Sequence, residues 1–539
     1  MPDSITATPD QIMKARISMA AWQQPDGVVG DSSFIRVSLG VLGPQRYRCP
    51  ARDAMAARPN LVASVGVRQG RELLESFTLG PFMTALDLIE DRRFTADQAL
   101  ITVREHSQRP IHDGVLQWTT HAIRAYLDAF PSDADRSMRP VRSRWTSQTR
   151  LGEPDDRGAR RYEMNVWGRC YVSSDGRVRE LRLIANRLNA RSRGDAEIAV
   201  AALVVAKGSP GRPPKRVRIV QFGVLEGAAE TLFDNTPEAA AEMYRLHAKA
   251  ALASIVDSTE YRPGAACADC QFASVCPKLP RQPGLLGVPD FAKPRRSWSA
   301  TNARSYRNCP AQDYLRQQRL PVDATIEQSA AAERGRAVHA FLERRHGQAE
   351  RKRCDLHVPS DWVPAGYELT DDDRGLGARL LRQHAEICPL RYANEVKTEP
   401  DLAYDDTDAN VVVLVKPDLL YEERGAWVWR EVKTSGSDRR RPADVLVEYP
   451  QLALGIVLVA RGAFGLGRGR VELEVLRPGG ADLMMFDPFT DGVRKRAERV
   501  LLDHVRAWRA DDRFAAVPGD GCRRCEVSRW CSAKAGAAV

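Results

Sequence analysis

The sequence predicts an α/β protein built as two tandem halves of one design. Eight of its eleven cysteines fall into two sets with matched spacing, and strand-like and helix-like stretches follow one another in the same order in both halves. Length agrees: 539 residues exceed what one hydrophobic core usually organises, so two domains of roughly 250 residues each are expected.

In the first half a lone cysteine followed by proline, Cys49 in "RYRCPARDAM", opens the pattern. "NVWGRCYVSSDGRVRELRLIA" reads as a hairpin turning at "SSDG", and the basic stretch "GSPGRPPKRVR" reads as the tip of another, either touching phosphate or simply solvated. "RVRIVQFGVLEG" alternates like a half-buried strand, "PEAAAEMYRLHAKAALASI" is helical, and the triplet Cys267, Cys270, Cys276 closes the set 218 residues after Cys49. The second half repeats the order. Cys309-Pro310 in "SYRNCPAQDYL" is followed by the strand "RVELEVLRPGG", the helix "DGVRKRAERVLLDHVRAW" and the triplet Cys522, Cys525, Cys531, at a span of 213 residues. Between them "PKLPRQPGLLGVPDFAKPRR" holds five prolines and no apolar period, so it reads as a linker, with a boundary near residue 285 and domains 1–285 and 286–539.

Lys and Arg number 80 against 70 acidic residues, a net charge of +10, which suits a polyanionic partner as well as a merely solvated basic surface. The apolar runs "DANVVVLV" and "QLALGIVLVA" are far shorter than a membrane helix, and "MPDSITATPD" is not a secretory signal, so a cytoplasmic protein without a membrane partner is expected. Cysteines in a reducing compartment point to metal or cluster ligation rather than disulfides. Four thiolates suit an iron–sulfur cluster or a structural zinc. Structural zinc usually pairs two short knuckles, and a lone Cys-Pro plus C-x2-C-x5-C departs from that habit, which favours a cluster in each half. Cys170, Cys354 and Cys388 read as ordinary packed thiols.

The stretch "KPDLLYEERGAWVWREVKT", from Lys416 to Thr434, carries the candidate chemistry. Residues 411–421 read as a strand, "EERG" as a turn and "AWVWREVKT" as the return, on which period two places Trp427, Trp429, Glu431 and Lys433 on one face toward Asp418. Two carboxylates can hold Mg2+ or Mn2+, with the lysine beside an attacked phosphate, although a chain that is 28% charged also produces such groupings by chance. Glu395-Val396-Lys397 repeats the string without an Asp-bearing strand before it. "AAERGRAVHAFLERRHG" reads as a helix presenting Gly335 and His339, a candidate nitrogen ligand or a filler histidine. Arg439, Arg440 and Arg441 could pair with phosphates of a nucleic acid, and Gln451 opens an apolar helix, where its amide could contact nucleic acid or the lysine.

Taken in order over about 220 residues, Cys309-Pro310, Gly335-x3-His339, Asp418, Glu431-x-Lys433, Gln451 and the terminal C-x2-C-x5-C resemble the RecB-like branch of the PD-(D/E)XK nuclease superfamily. The likeness is to its iron–sulfur members, such as the AddB subunit of bacterial recombination nucleases and the CRISPR-associated exonucleases. The resemblance implies two restriction-endonuclease-like cores, each a mixed sheet flanked by helices. It implies a 4Fe-4S cluster on Cys309, Cys522, Cys525 and Cys531, and a second on Cys49, Cys267, Cys270 and Cys276. His339, Asp418, Glu431 and the Val432 carbonyl become ligands of Mg2+ or Mn2+, with Lys433 orienting the attacking water and Gln451 joining the catalytic set. Val415 and Gly455 stand where the family commonly has Gly and Tyr, and Glu395 falls where relatives often carry an acid.

The first half has no such Asp. Tyr171 or Arg169 takes its place, Glu180-Leu181-Arg182 is the nearest relic of E-x-K and His121 the nearest helical ligand, so a degenerate, inactive copy that keeps its cluster is expected. The function implied is a metal-dependent DNA nuclease acting on ends or single strands, an exonuclease rather than an endonuclease, in repair, recombination or anti-phage defence. The alternative is a partner-activated or non-catalytic nucleic-acid-binding scaffold with structural clusters. No G-x4-G-K-[ST] loop occurs, so unwinding would fall to a partner helicase or a defence or recombination protein.

Overall fold

The computed structural model describes residues 22–537 except 44–47, 67–71, 132–137, 152–159, 189–192, 290–291, 324–325, 327–328, 349–351, 439–442 and 466. It is an α/β protein of several mixed sheets. The first-half strands that have a counterpart are β1 (Phe34–Ser38), β2 (Met138–Val141), β3 (Thr146–Leu151), β4 (Arg160–Asn165), β5 (Arg169–Ser173), β6 (Val178–Ala185), β7 (Arg216–Gly223) and β8 (Ala228–Asn235). Their counterparts are β9 (Arg296–Ser299), β10 (Glu395–Thr398), β11 (Leu402–Asp406), β12 (Val411–Val415), β13 (Leu419–Glu423), β14 (Ala426–Thr434), β15 (Arg470–Arg477) and β16 (Gly480–Phe486).

Two sheets of one half repeat in the other, and the first half adds a two-stranded antiparallel sheet of Val28–Gly30 and Leu61–Ala63. A five-stranded sheet runs β8-β7-β6-β5-β2 in the first and β16-β15-β14-β13-β10 in the second, and a three-stranded sheet runs β1-β4-β3 and β9-β12-β11. The same pairs are parallel in both, β6 with β7 and β1 with β4, then β14 with β15 and β9 with β12. Parallel neighbours need a crossover. Helices supply it between β6 and β7 and between β14 and β15.

The helices used below are α1 (Pro50–Ala56), α2 (Asp113–Ala129), α3 (Asp195–Lys207), α4 (Pro310–Gln317), α5 (Ala330–His346), α6 (Asp371–Ile387), α7 (Pro450–Ala460) and α8 (Asp491–Ala510). The crossovers α3 and α7 are apolar nearly all round, and Leu452 through Val459 are buried, as an interior helix requires. Helix α6 begins under a Thr370 cap that accepts from the Asp373 amide at 3.2 Å, with three aspartates in its first turn to complement the helix dipole.

Three expectations change. Residues 411–421 are not one strand: β12 and β13 belong to different sheets, because Pro417 has no amide for a ladder and the chain turns there. "GSPGRPPKRVR" tips no hairpin and instead joins α3 to β7, since β6 and β7 are parallel. Among its described residues before Arg296 the proline-rich connection has no helix or strand, and it is pinned to the second half: Gly284 and Leu286 amides donate to Asp406 at 2.9 and 2.7 Å, and Leu279, Leu285 and Leu286 are buried.

The largest apolar core crosses that connection. It joins Phe82, Trp118 and Ile123 of the first half to Leu315, Ile456, Leu501 and Trp530 of the second. Cys170 packs in a smaller first-half core under α3. Cys354 and Cys388 differ from the packed thiols expected of them, for they share a buried group with His346 and His384 between α5 and α6. Long-range packing brings two helix ends together there, which no local pattern announces.

Candidate functional site

On β14 period two sends Trp429, Glu431 and Lys433 toward α7, and Arg430 and Val432 toward α6. Asp418 sits at the mouth of β13, opposite Glu431 by continuation of the ladder in which Leu419 faces Arg430. The Val432 amide donates to Asp418 Oδ2 at 2.7 Å. Lys433 Nζ donates to Asp418 Oδ2 at 3.3 Å, Glu431 Oε2 at 3.0 Å and the Val432 carbonyl at 3.0 Å. Trp429 Nε1 holds Glu431 Oε1 at 2.9 Å, so both oxygens of that carboxylate are engaged.

His339 comes from α5, its Nδ1 lying 3.4 Å from Asp418 Oδ1. The glycine four residues before it has a physical reason: a Cβ on Gly335 would meet Thr434 Oγ1 at 3.1 Å, so its absence lets α5 lie close against β14. The third member is Glu399. Its amide donates to the Asp418 carbonyl at 3.2 Å, its φ of 40° lies in the left-handed region, and Lys416 Nζ holds its Oε2 at 2.6 Å. His339, Glu399 and Asp418 each offer a ligand atom, all within 4.8 Å of one another. Sequence reading left a supporting role open for Glu395, which instead pairs with Lys397 at 3.3 Å on an edge strand. The signal for Glu399 was a strand end followed by Pro400, facing the Pro417 break.

The charges set one another. Burial alone would raise Asp418; Lys433, the His339 imidazole and the Val432 amide override it and hold the carboxyl well below its usual range. Burial pushes Glu431 up to about 7, with Lys433 opposing and Asp418 adding to the rise. For Lys433 burial works against the charge, but Glu431 and Asp418 outweigh it and raise the ammonium. Burial likewise opposes the charged His339, and Asp418 raises it nonetheless.

These groups open on a cleft of about 1460 Å³ that Gln451 also lines, with Arg48, Tyr261 and Arg262 of the first half as its far wall. Gly455 has a packing reason, since a Cβ there would strike the Trp429 indole at 2.8 Å. Val415 lines the same cleft. Arg439, Arg440 and Arg441 lie outside the described residues.

The cysteine sets repeat in detail. Cys49 N-caps α1 and Cys309 N-caps α4, each with proline at the first helical position. The amide five residues before each triplet donates to the lone thiol, Arg262 to Cys49 and Val517 to Cys309, both at 3.4 Å. Burial, then Cys276 and Cys49, raise Cys267 against its Gly264 hydrogen bond. Among the described residues, the groups with three or more ligand atoms inside 4.8 Å include none of these eight cysteines.

In the first half, ladder and face place Cys170 where Asp418 stands, and Leu181 and Leu183 where Glu431 and Lys433 stand. This corrects the Tyr171 or Arg169 alignment. Glu180 and Arg182 lie on the opposite face, paired at 2.6 Å, and His121 packs its ring 5.5 Å from that of Trp530.

Residues 297–532 match the model of the PD-(D/E)XK nuclease superfamily. No curated protein matches the chain. Among solved structures, SSO0001 is 18% identical over 26% of this chain and 61% of its own, at a TM-score of 0.18, so the match spans about three fifths of that protein. A Eubacterium rectale protein provisionally named an exonuclease is 14% identical over 42% of this chain and 87% of its own, at a TM-score of 0.29.

Proposed function

We propose that the PD-(D/E)XK domain at residues 297–532 hydrolyses phosphodiester bonds of DNA at ends or single strands, as an exonuclease. One observation carries the reading: His339, Glu399 and Asp418 converge within 4.8 Å beside Glu431 and Lys433 in an open cleft. Carboxylate oxygens with one imidazole and a backbone carbonyl are a donor set that fits Mg2+ or Mn2+. His339, Asp418, Glu431 and the Val432 carbonyl would hold the cation, and Glu399, missing from the sequence reading, joins them. When bound, the cation lowers the pKa of a coordinated water and offsets charge on the phosphate.

The chain's own groups do the rest. Lys433 keeps its proton between two carboxylates and can donate from Nζ to a water or a phosphate oxygen. Trp429 fixes Glu431 in one orientation, and Asp418 is tied to the β14 backbone, so neither must reorganise as substrate arrives. Gln451 faces the same space, where its amide can meet the nucleic acid. The first half, with Cys170, Leu181 and Leu183 at the equivalent positions, acts as an inactive wall that steers DNA through Arg48 and Arg262.

Each cysteine set holds a 4Fe-4S cluster in this reading. The proline-started helices and amide-to-sulfur bonds support thiolate ligation.

The test is anaerobic purification followed by Mg2+- or Mn2+-dependent cleavage of end-labelled single- and double-stranded DNA. Asp418→Ala and Lys433→Ala should abolish product and leave the visible cluster absorbance intact. Cleavage persisting in both variants overturns the site; DNA binding without any cleavage by the native chain leaves a scaffold.

A further inference from the structure

Arg430 and Glu474 project from the face of β14 and β15 opposite Glu431, and beyond them lies a second convergence of ligands. His346, Cys354, His384 and Cys388 are all buried, and their ligand atoms lie within 4.8 Å of one another. His346 Nε2 stands 3.1 Å from His384 Nε2, 3.3 Å from Cys354 Sγ and 3.8 Å from Cys388 Sγ. A tetrahedral zinc with its usual bond lengths separates nitrogen from nitrogen by about 3.3 Å and nitrogen from sulfur by about 3.6 Å. The two nitrogen–sulfur separations bracket that value, and the nitrogen–nitrogen separation of 3.1 Å lies just short of its own.

An independent observation concerns the other side of a ligand ring. His384 Nδ1 lies 2.6 Å from Glu474 Oε1, and Glu474 is held in turn by Arg430 at 3.1 Å. A carboxylate at Nδ1 keeps the ring proton there and turns the Nε2 lone pair toward the other three ligands, which is how metal-bound histidines are oriented from outside the ligand shell. Charge also closes: Zn2+ with two thiolates and two neutral imidazoles is neutral, and Arg430 and Arg470 offset Glu472 and Glu474.

We infer that His346, Cys354, His384 and Cys388 bind a structural zinc ion. Mixed imidazole and thiolate donors select zinc over Mg2+ or Mn2+, so this site and the nuclease cleft take different metals. The ion clasps the last residue of α5, Cys354, and α6 with its cap. His339 lies seven residues before His346, two turns and about 10 Å along the same helix, so the zinc anchors the element that delivers His339 to the cleft. In sequence the site is H-x7-C followed by H-x3-C, thirty residues apart.

The full chain is purified without oxygen, so that the other cysteine sets keep what they hold, and its zinc is measured by plasma mass spectrometry. About one zinc per chain is expected in the native protein and in Cys309→Ser, falling to near zero in Cys354→Ser/Cys388→Ser. Zinc absent from the native chain, or kept by the double variant, overturns the inference. Should the double variant fail to fold, zinc-edge X-ray absorption of the native chain decides: two nitrogen and two sulfur neighbours support the site, and an all-sulfur shell rejects it.

Discussion

Asp418 and Glu431 share one ammonium and titrate in opposite directions. Asp418 touches Lys433, faces His339 and accepts a backbone amide, so its anion is favoured; Glu431 is buried deeper, with a second carboxylate as neighbour, and its pKa rises to about 7. A carboxyl raised in this way binds its proton more tightly folded than unfolded, so between the usual carboxylate range and about 7 it costs the metal-free fold stability as pH rises. Cation binding needs the ionised form. Affinity for Mn2+ should therefore strengthen as pH rises through about 7, with proton release below it. Titration calorimetry at pH 6 in buffers of different ionisation enthalpy should give different heats; equal heats would contradict the assignment. Lys433 competes with a cation for three oxygens, so Lys433→Ala should bind Mn2+ at least as tightly while losing about 100-fold or more in rate. Glu399→Gln should raise the Mg2+ needed for half-maximal cleavage about 10-fold, an effect that a purely structural acid would not have.

At the scale of elements, β14 is stabilised on one face by charge and on the other by packing. Arg430, fully buried, holds Glu472 at 2.6 Å and Glu474 at 3.1 Å. Removing it takes the shared cation from two buried carboxylates and leaves Glu474 to His384 and Glu472 to Arg470 and Tyr421, so Arg430→Ala should lower stability by about 3–5 kcal/mol in urea denaturation. On the other face Gly455 of α7 lies against Trp429. Gly455→Tyr should destabilise by about 1–3 kcal/mol through overpacking, and a Trp429→Ala background should recover part of that loss. Non-additivity of the pair is the quantity to measure. Both strands of the candidate hairpin were legible in alternation and turn residues, but the break at Pro417 was not, because apolar runs flank Lys416, Pro417 and Asp418 on both sides and periodicity cannot say where one sheet ends and another begins.

Across the whole molecule, duplication and integration coexist. The strand orders repeat, yet Trp118 and Trp530, one from each half, pack at 4.8 Å, and His112 Nε2 lies 3.0 Å from the Phe514 carbonyl. A shared core of this kind predicts one cooperative unfolding transition for the anaerobic chain by calorimetry; two well-separated transitions would argue for independent halves. The cleft is bounded by both halves, so truncation at residue 285 removes a wall of it.

By itself the sequence determined the repeat, the two cysteine sets and the common face of Trp429, Glu431 and Lys433, because spacing and period are properties of a single segment. Only the tertiary structure decided that Glu399 rather than Glu395 stands beside His339 and Asp418, and that Cys354 and Cys388 meet His346 and His384. It also decided that Cys170 occupies the place of Asp418. Those meetings depend on which distant surfaces bury one another, and burial between remote segments leaves no mark on the local pattern of either.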